Sequence, residues 1–465
     1  MQMSYFEQRE RALLGDAYDV LYTAKQGVCR GLTVNTLRMP PKQLHTAIAL
    51  LSPSPFCENA FAITDDAFRA GQHPYHHAGA YYVQEPSAAA PAALLQVQKG
   101  DKVLDVCAAP GGKSAQLAAA LGGKGLLVAN EFVAARAAIL KSNLERIGAC
   151  NAVILNTDTA HLAKAFPLYF DKILVDAPCS GEGMFRKEPQ AVAQHSEALV
   201  HSCAALGAEI LDNAAACLAP GGTMVYSTCT FSAQENEAQI GAFLRRHTDF
   251  YIVPCAVDFG TNGEHARSAP YDFSCEFARR IYPCHGGEGH FMAKLCRKTD
   301  DDANTTSAPC TAKAARRAQR AGQSAQNSKP EPYAKAFLAQ YFPKLTACTL
   351  LQHNAAIYLL PDTPLPDFAN LHLLCAGVLA GSLVKNRFEP SHALFMAYGA
   401  LCENREMLTL HDTRTLAWLR GEEIDALTAK NGYAAVLVDG MPIGFGKISG
   451  GKVKNHYPKG LRNLK

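Results

Sequence analysis

No stretch of eighteen apolar residues occurs in the 465-residue chain, which excludes a membrane-spanning helix. None of the sixteen cysteines is spaced from another as C-x-x-C, so the usual signatures of a zinc ribbon or a redox dithiol are missing. The chain opens Met1-Gln-Met-Ser-Tyr-Phe-Glu-Gln-Arg9, without the basic-then-apolar layout of a secretory signal. Scattered cysteines without an export signal predict a cytoplasmic protein with reduced thiols. Charge of one sign is also lacking. The 45 basic and 42 acidic side chains leave a net charge of +3, which neither requires nor forbids a nucleic-acid partner. Trp418 is the single tryptophan, and its neighbours Leu416 and Leu419 make it a core residue. What remains, 48% hydrophobic and 19% charged residues, is ordinary globular composition with length for two to four domains.

Four regions are expected. Residues 1–78 read as a small α+β domain, with a helix near 6–14, a strand near 31–38 and a helix starting after Pro40-Pro41. Residues 79–298 alternate short apolar runs (103–106, 126–129, 153–155, 173–175 and 224–226) with helical stretches near 113–121, 133–147, 196–218 and 233–246. That alternation predicts an α/β, Rossmann-like domain built on a mostly parallel sheet. Residues 299–332, rich in Asp, Thr, Ser and Gln around Lys313, Arg316, Arg317 and Arg320, read as a flexible linker with a short basic helix. Residues 333–465 carry strand-like runs between Gly and Pro turns, a β-rich region.

The sharpest motif is Val103-Leu-Asp-Val-Cys-Ala-Ala-Pro-Gly-Gly-Lys-Ser114. A buried strand enters a Gly-Gly turn and then a helix, the place where an open parallel sheet binds ligands. The loop residues Cys107, Ala108, Ala109, Pro110, Gly111, Gly112 and Lys113 are the candidate contacts. Glu131, ending the second strand, is placed for ribose hydroxyls, and Asp158, past the third, for an adenine edge. The dinucleotide pattern G-x-G-x-x-G is absent. Gly112-Lys113-Ser114 fits the end of a P-loop, but Cys107 stands at its first glycine and Pro110 removes an amide that a phosphate cradle uses.

Asp176-Ala-Pro-Cys-Ser-Gly-Glu-Gly-Met-Phe-Arg-Lys187 follows the fourth strand run, and Ser227-Thr-Cys-Thr-Phe231 the fifth. Cys179 and Cys229 therefore sit at the ligand-binding edge of one sheet. Carbon-5 of a pyrimidine is a poor nucleophile; a thiolate adding to carbon-6 makes it able to take a methyl group from a sulfonium donor. Either cysteine could be that thiolate. A carboxylic acid at Asp176, with a raised pKa, would hydrogen-bond ring N3 and polarise carbon-6.

Together, Asp105-Val-Cys-Ala-Ala-Pro-Gly-Gly-Lys113, Asp176-Ala-Pro-Cys179-Ser-Gly and Ser227-Thr-Cys229-Thr resemble the motifs of the Sun-type RNA 5-methylcytosine methyltransferases, in order and spacing. The resemblance covers the middle half of the chain. It implies a seven-stranded Rossmann-like fold, S-adenosyl-L-methionine as cofactor, and cofactor contacts from Cys107 to Lys113, Glu131, Asp158 and Asp176. It also orders the cysteines: Cys229 as covalent nucleophile, Cys179 as the group that helps release product. Glu182-Gly-Met-Phe-Arg-Lys187 resembles the family's active-site loop, with Arg186 and Lys187 facing backbone phosphates.

The flanks, Arg30-Gly-Leu-Thr-Val-Asn-Thr-Leu37, Lys385-Asn-Arg-Phe-Glu-Pro-Ser-His392 and Asn455-His-Tyr-Pro-Lys-Gly-Leu-Arg462, resemble the ribosomal small-subunit branch of the family, which implies a C-terminal PUA-like RNA-binding module. From Lys447 to Lys465 six cations and no acid surround His456 and Tyr457, a composition suited to RNA. His73, His76 and His77 lack partners at metal-ligand spacing and read as entry-loop or surface residues, so no metal is expected. The expectation is thus an RNA (cytosine-5)-methyltransferase acting on 16S ribosomal RNA or the small subunit. Its base enters between the N-terminal and Rossmann-like domains, and nothing demands more than a monomer. The rivals are a transfer-RNA methyltransferase and a non-catalytic RNA-binding assembly factor, the latter disfavoured by the intact cysteine pair.

Overall fold

The computed structural model describes residues 4–24, 27–299, 332–368, 370–385 and 387–463. Near the N-terminus, helix Tyr5–Leu14 is capped by Ser4, and Pro41 opens helix Pro41–Ala47, as a proline at the first helical turn favours. Four short strands, β1 (Gly31–Val34), β2 (Leu51–Pro53), β3 (Ala60–Ile63) and β4 (Tyr81–Val83), form an antiparallel sheet in the order β2-β3-β1-β4.

The central sheet grows from runs that are apolar on both faces, because helices cover both sides. Its strands are β5 (Lys102–Asp105), β6 (Leu126–Asn130), β7 (Ala152–Leu155), β8 (Phe170–Asp176) and β9 (Leu218–Thr228), parallel in the order β7-β6-β5-β8-β9. The connections run outward from β5 in one direction and then return to its other side. The switch point lies between β5 and β8, where ligands enter such sheets. Helices Gly112–Leu121, Ala134–Ile147 and Glu197–Cys217 lie within two residues of the expected stretches. The fourth begins at Glu237, four residues later than expected, after a loop held by side-chain bonds.

Antiparallel strands β10 (Phe250–Val253), β11 (Thr261–Asn262), β12 (Arg279–Ile281) and β13 (His290–Arg297) complete one side. β13 pairs with β9 and shares its outer edge between β10 and β12. The sheet has ten strands rather than the seven expected, because β11 and β12 extend one end and strand Leu373–Ala376, from far along the chain, pairs antiparallel with β7 at the other.

Residues 300–331, which hold nearly all of the expected linker and its basic residues, lie outside the described residues; Pro332 already belongs to helix Pro332–Tyr341. Beyond it stand a four-stranded sheet (Leu350–His353, Ala356–Leu359, Val378–Val384, Arg387–Pro390) and a five-stranded sheet (Arg405–Leu408, Gly432–Val438, Met441–Ser449, Lys452–Asn455, Ile424–Asp425). Trp418 is fully buried and its Nε1 donates to the Ile443 carbonyl at 3.2 Å. The apolar core around Trp418 is continuous with that of the N-terminal sheet: Leu32, Val34 and Tyr81 share one cluster with Ile443 and Val453. No helix among the described residues is long and apolar enough to cross a membrane.

Candidate active site

Three strand ends meet at the switch point. β5 delivers Asp105, β8 Asp176, and β9 Ser227 and Thr228 with Cys229 directly after. After β5 the chain turns at Gly111, whose φ of +114° suits glycine, into helix Gly112–Leu121. Two loop carbonyls are held: Arg136 donates to Ala109 and Asn143 to Pro110, both at 2.9 Å. The first amides of helix Gly112–Leu121 lack intrahelical partners. A cavity of about 230 Å³ opens here, lined by Tyr82 and Gln84 from the N-terminal sheet, by Asp105, by loop residues from Cys107 to Lys113, and by Asp176. Tyr82, on β4, brings the N-terminal sheet to this wall, although the expected boundary at residue 78 assigned it to the Rossmann-like domain.

The loop bears acids suited to a cationic ligand. Asp105 is fully buried; Ser114 donates to its Oδ2 at 2.6 Å, while its Oδ1 has no partner. Burial pushes its pKa up to about 7 against the Ser114 bond, and the charge of Asp176 adds to the rise. Burial and the charges of Asp105, Asp176 and Glu131 hold the Cys107 thiol well above its ordinary value, so Cys107 stays protonated. Glu131 is buried, accepts from Val133 N at 2.9 Å and lies 3.6 Å from Arg136. Asp158 caps helix Thr159–Ala165 through His161 N at 2.9 Å and holds the His161 ring at 2.6 Å. Its carboxylate is half exposed and occupied by that cap.

Lys113 Nζ donates to Asp176 Oδ2 at 2.8 Å, and Ser227 Oγ to Asp176 Oδ1 at 2.7 Å. Burial pushes the Asp176 carboxyl up, but Lys113, the neighbouring His290 and the Ser227 bond outweigh it and hold it below the usual carboxylate range. The raised pKa expected of Asp176 from the sequence is therefore corrected: the ammonium of Lys113, brought from the first loop, stabilises the anion. As an anion, Asp176 can only accept hydrogen bonds.

Cys179 Sγ and Cys229 Sγ stand 3.4 Å apart. The contact with Cys229, then burial, push the Cys179 thiol well above its ordinary value, so Cys179 keeps its proton. The two loops carrying the sulfurs are stitched together. Gly183 N donates to the Cys229 carbonyl at 2.8 Å, and a Cβ at Gly183 would come within 2.9 Å of that oxygen. Glu235 accepts from Ser180 N at 2.8 Å and Ser180 Oγ at 2.6 Å, and burial, against those bonds, raises its pKa to about 7.

Sequence reasoning missed Glu235, Glu182 and His290. Glu182 belongs to the expected active-site loop, but it is buried against Arg9 (2.9 and 2.8 Å), His195 (2.9 Å) and Phe231 N (3.0 Å), which makes it a structural anchor. Arg186, expected to face phosphates, lies 3.1 Å from Glu288 and donates to the Gly27 carbonyl at 2.8 Å. A Glu three residues past Ser232 was the sequence signal available for Glu235. His290 sits in a strand that the apolar pattern did not single out.

His73, His76 and His77 are half-buried, not a free surface. His77 Nδ1 lies 2.8 Å from Tyr457 Oη, because the C-terminal sheet packs on the short helix Pro74–His77. Among the described residues, His265, Cys275 and Glu276 bring potential metal-ligand atoms within 4.8 Å of one another, a convergence that sequence spacing does not reveal; it lies apart from the cavity, and Glu276 is 3.4 Å from His265.

Comparison with known proteins gives these features their family. A family model described as 16S rRNA methyltransferase RsmB/F matches residues 92–296. Models described as the N-terminal domain of 16S rRNA methyltransferase RsmF, the first C-terminal domain of RsmF rRNA methyltransferase and the methyltransferase RsmF PUA domain match residues 4–86, 336–398 and 405–463. The ribosomal RNA small subunit methyltransferase F of Klebsiella pneumoniae (strain 342) is 31% identical over 454 residues, spanning 95% of this chain and 92% of its own. That of Serratia proteamaculans (strain 568) is 30% identical, with the same coverage. Among solved structures, a methyltransferase homologue from Pyrococcus horikoshii aligns with a TM-score of 0.54 and 26% identity over 63% of this chain and all of its own.

Proposed function

We propose, from the premise that this chain belongs to the 16S rRNA methyltransferase RsmB/F family, that it methylates carbon-5 of a cytosine in 16S ribosomal RNA through a transient bond from Cys229 to carbon-6. The observation that carries this reading is the pair Cys179–Cys229, 3.4 Å apart beside the Lys113–Asp176 ion pair. Cys179 keeps its proton and stands beside the Cys229 sulfur.

The residues fit S-adenosylmethionine. The unpartnered, buried Asp105 Oδ1 offers an acceptor, Glu131 and Asp176 add negative charge, and the Gly111–Gly112 turn lets backbone amides approach a ligand. When bound, that cofactor supplies an electrophilic methyl on a sulfonium. Within the chain, Cys229 forms the bond to carbon-6, and the electron pair displaced toward carbon-5 makes that carbon the nucleophile. Asp176, anionic and fixed by Lys113 and Ser227, orients the base by accepting from it. Cys179 then serves elimination: the carbon-5 proton leaves to solvent water, its electron pair re-forms the carbon-5–carbon-6 double bond and expels the Cys229 sulfur, which takes the thiol proton of Cys179, and solvent reprotonates Cys179. The PUA domain and the basic residues Lys447, Lys452, Lys454, Lys459 and Arg462 hold flanking RNA through phosphates.

Bisulfite sequencing of 16S rRNA from cells with and without the protein should show one or more cytosines protected only when it is present. Cys229→Ala should abolish that protection while S-adenosylmethionine binding persists. Cys179→Ala should accumulate a protein–RNA adduct that survives denaturing gels. Normal methylation by Cys229→Ala would overturn the reading.

A further inference from the structure

His290 is a buried side chain that neither the fold nor the proposed chemistry uses. It opens β13, one register step beyond the pair Phe291 and Thr228, and therefore stands across the sheet from Cys229. Its side chain is 4% exposed, and Nε2 lies 4.0 Å from Asp176 Oδ1. That distance is too long for a hydrogen bond, and Nε2 has no partner. The backbone of Gly289 raises the ring's pKa as an accepting carbonyl does, and since Nε2 is bare that influence acts on Nδ1. A ring donating from Nδ1 to a carbonyl carries its lone pair on Nε2. Two acceptors, Nε2 and the Asp176 carboxylate, thus face each other at the mouth of the cysteine site. Two acceptors cannot bond one another, and leaving a buried acceptor bare costs about 1–3 kcal/mol. The group that satisfies both is a donor with two hydrogens on one atom.

We propose that His290 is a specificity-determining residue that accepts a hydrogen bond from the exocyclic 4-amino group of the target cytosine, with Asp176 accepting the second hydrogen. Uracil has a carbonyl at this position and would set a third acceptor against the two already there, so the pair selects cytosine over uracil. This is the logic by which a site built for a polar group rejects an analogue lacking it. Burial, together with the positive charge of Lys113, lowers the ring's pKa to about 4, which keeps Nε2 an acceptor at neutral pH.

The inference rests on the carbon-5 reading above, and the test separates the two. The 16S rRNA segment carrying the protected cytosine is synthesised with 5-fluorocytosine, 5-fluorouracil or 5-fluoro-2-pyrimidinone at that position, and the rate of covalent adduct formation is measured with S-adenosylmethionine present. The native enzyme should trap fluorocytosine in strong preference to fluorouracil; no adduct with fluorocytosine would overturn the carbon-5 reading and this one with it. His290→Phe should slow trapping of fluorocytosine about tenfold and leave fluoropyrimidinone, which has no 4-substituent, unchanged. S-adenosylmethionine affinity should not move. His290→Gln, which keeps an acceptor near the Nε2 position, should recover part of the loss and serves as the variant if phenylalanine prevents folding. Equal slowing on both bases would assign His290 a purely structural role, and no slowing on either would remove it from recognition; both results overturn the proposal.

Discussion

Glu235 shows how one carboxyl sets the geometry of two loops. Both its oxygens are spent on Ser180, the residue after Cys179, and its pKa is raised to about 7. A group whose pKa is raised on folding contributes stability that is full below the normal glutamate range and is lost as pH rises through 7. Glu235→Gln, neutral at every pH and still able to bond Ser180, should therefore match the native protein near pH 4–5 and exceed its stability by about 1 kcal/mol at pH 8–9. Chemical denaturation at the two pH values checks this; an equal offset at both would contradict it. Residue identity was legible in the sequence where a residue lies inside a motif, as with Cys179, Cys229 and Lys113. It was not legible where the role depends on which distant side chain arrives. Asp176 reads as a raised acid until Lys113 is placed 2.8 Å away, and the sequence does not show that Asp158, expected as a ligand contact, also caps its own helix.

Among the elements, the central strands were readable because parallel strands buried on both faces must be apolar throughout. β10–β13 were less so, being short, antiparallel and partly polar. Helix Tyr5–Leu14 was expected from its pattern, but not its attachment. Its Glu10 is fully buried and meets Arg267 at 2.6 Å, while Arg9 spans to Glu182. Burial alone would raise the Glu10 pKa, yet Arg267 and Arg9 hold it below the glutamate range. The bond therefore stabilises above that range and fades as pH falls through it. Glu10→Ala, leaving Arg267 short of a partner, should cost about 3 kcal/mol at neutral pH and much less in acid. A loss below 1 kcal/mol by denaturant titration at pH 7 would show the helix to be held mainly by Phe6 and its aromatic neighbours Tyr22, Phe185 and Phe231.

Across the molecule, the two ends of the chain meet. Tyr75 donates to Asp439 at 2.8 Å, Asn463 to the Gln72 carbonyl at 3.0 Å, and the N-terminal and C-terminal sheets bury one common core. Sequence reading treated them as separate modules because apolar periodicity shows that a face is buried, not what covers it. Because Leu32, Tyr81, Trp418 and Ile443 share one buried core, the covalent link between the halves is expected to be dispensable. Residues 1–310 and 311–465 expressed as two chains in one cell should co-purify and elute together. Recovery of either half alone would mean that these contacts form only within one chain.

Strand Leu373–Ala376 has a further implication for synthesis. The edge of β7 is closed by a segment emerging more than two hundred residues after β7 itself. Until then a nascent polypeptide presents a bare row of amides and carbonyls next to an otherwise finished nucleotide-type sheet, a template for pairing with a neighbouring chain. A fragment cut at residue 298 would carry all three sequence motifs and the same exposed rim, so it should aggregate where the intact translation product does not.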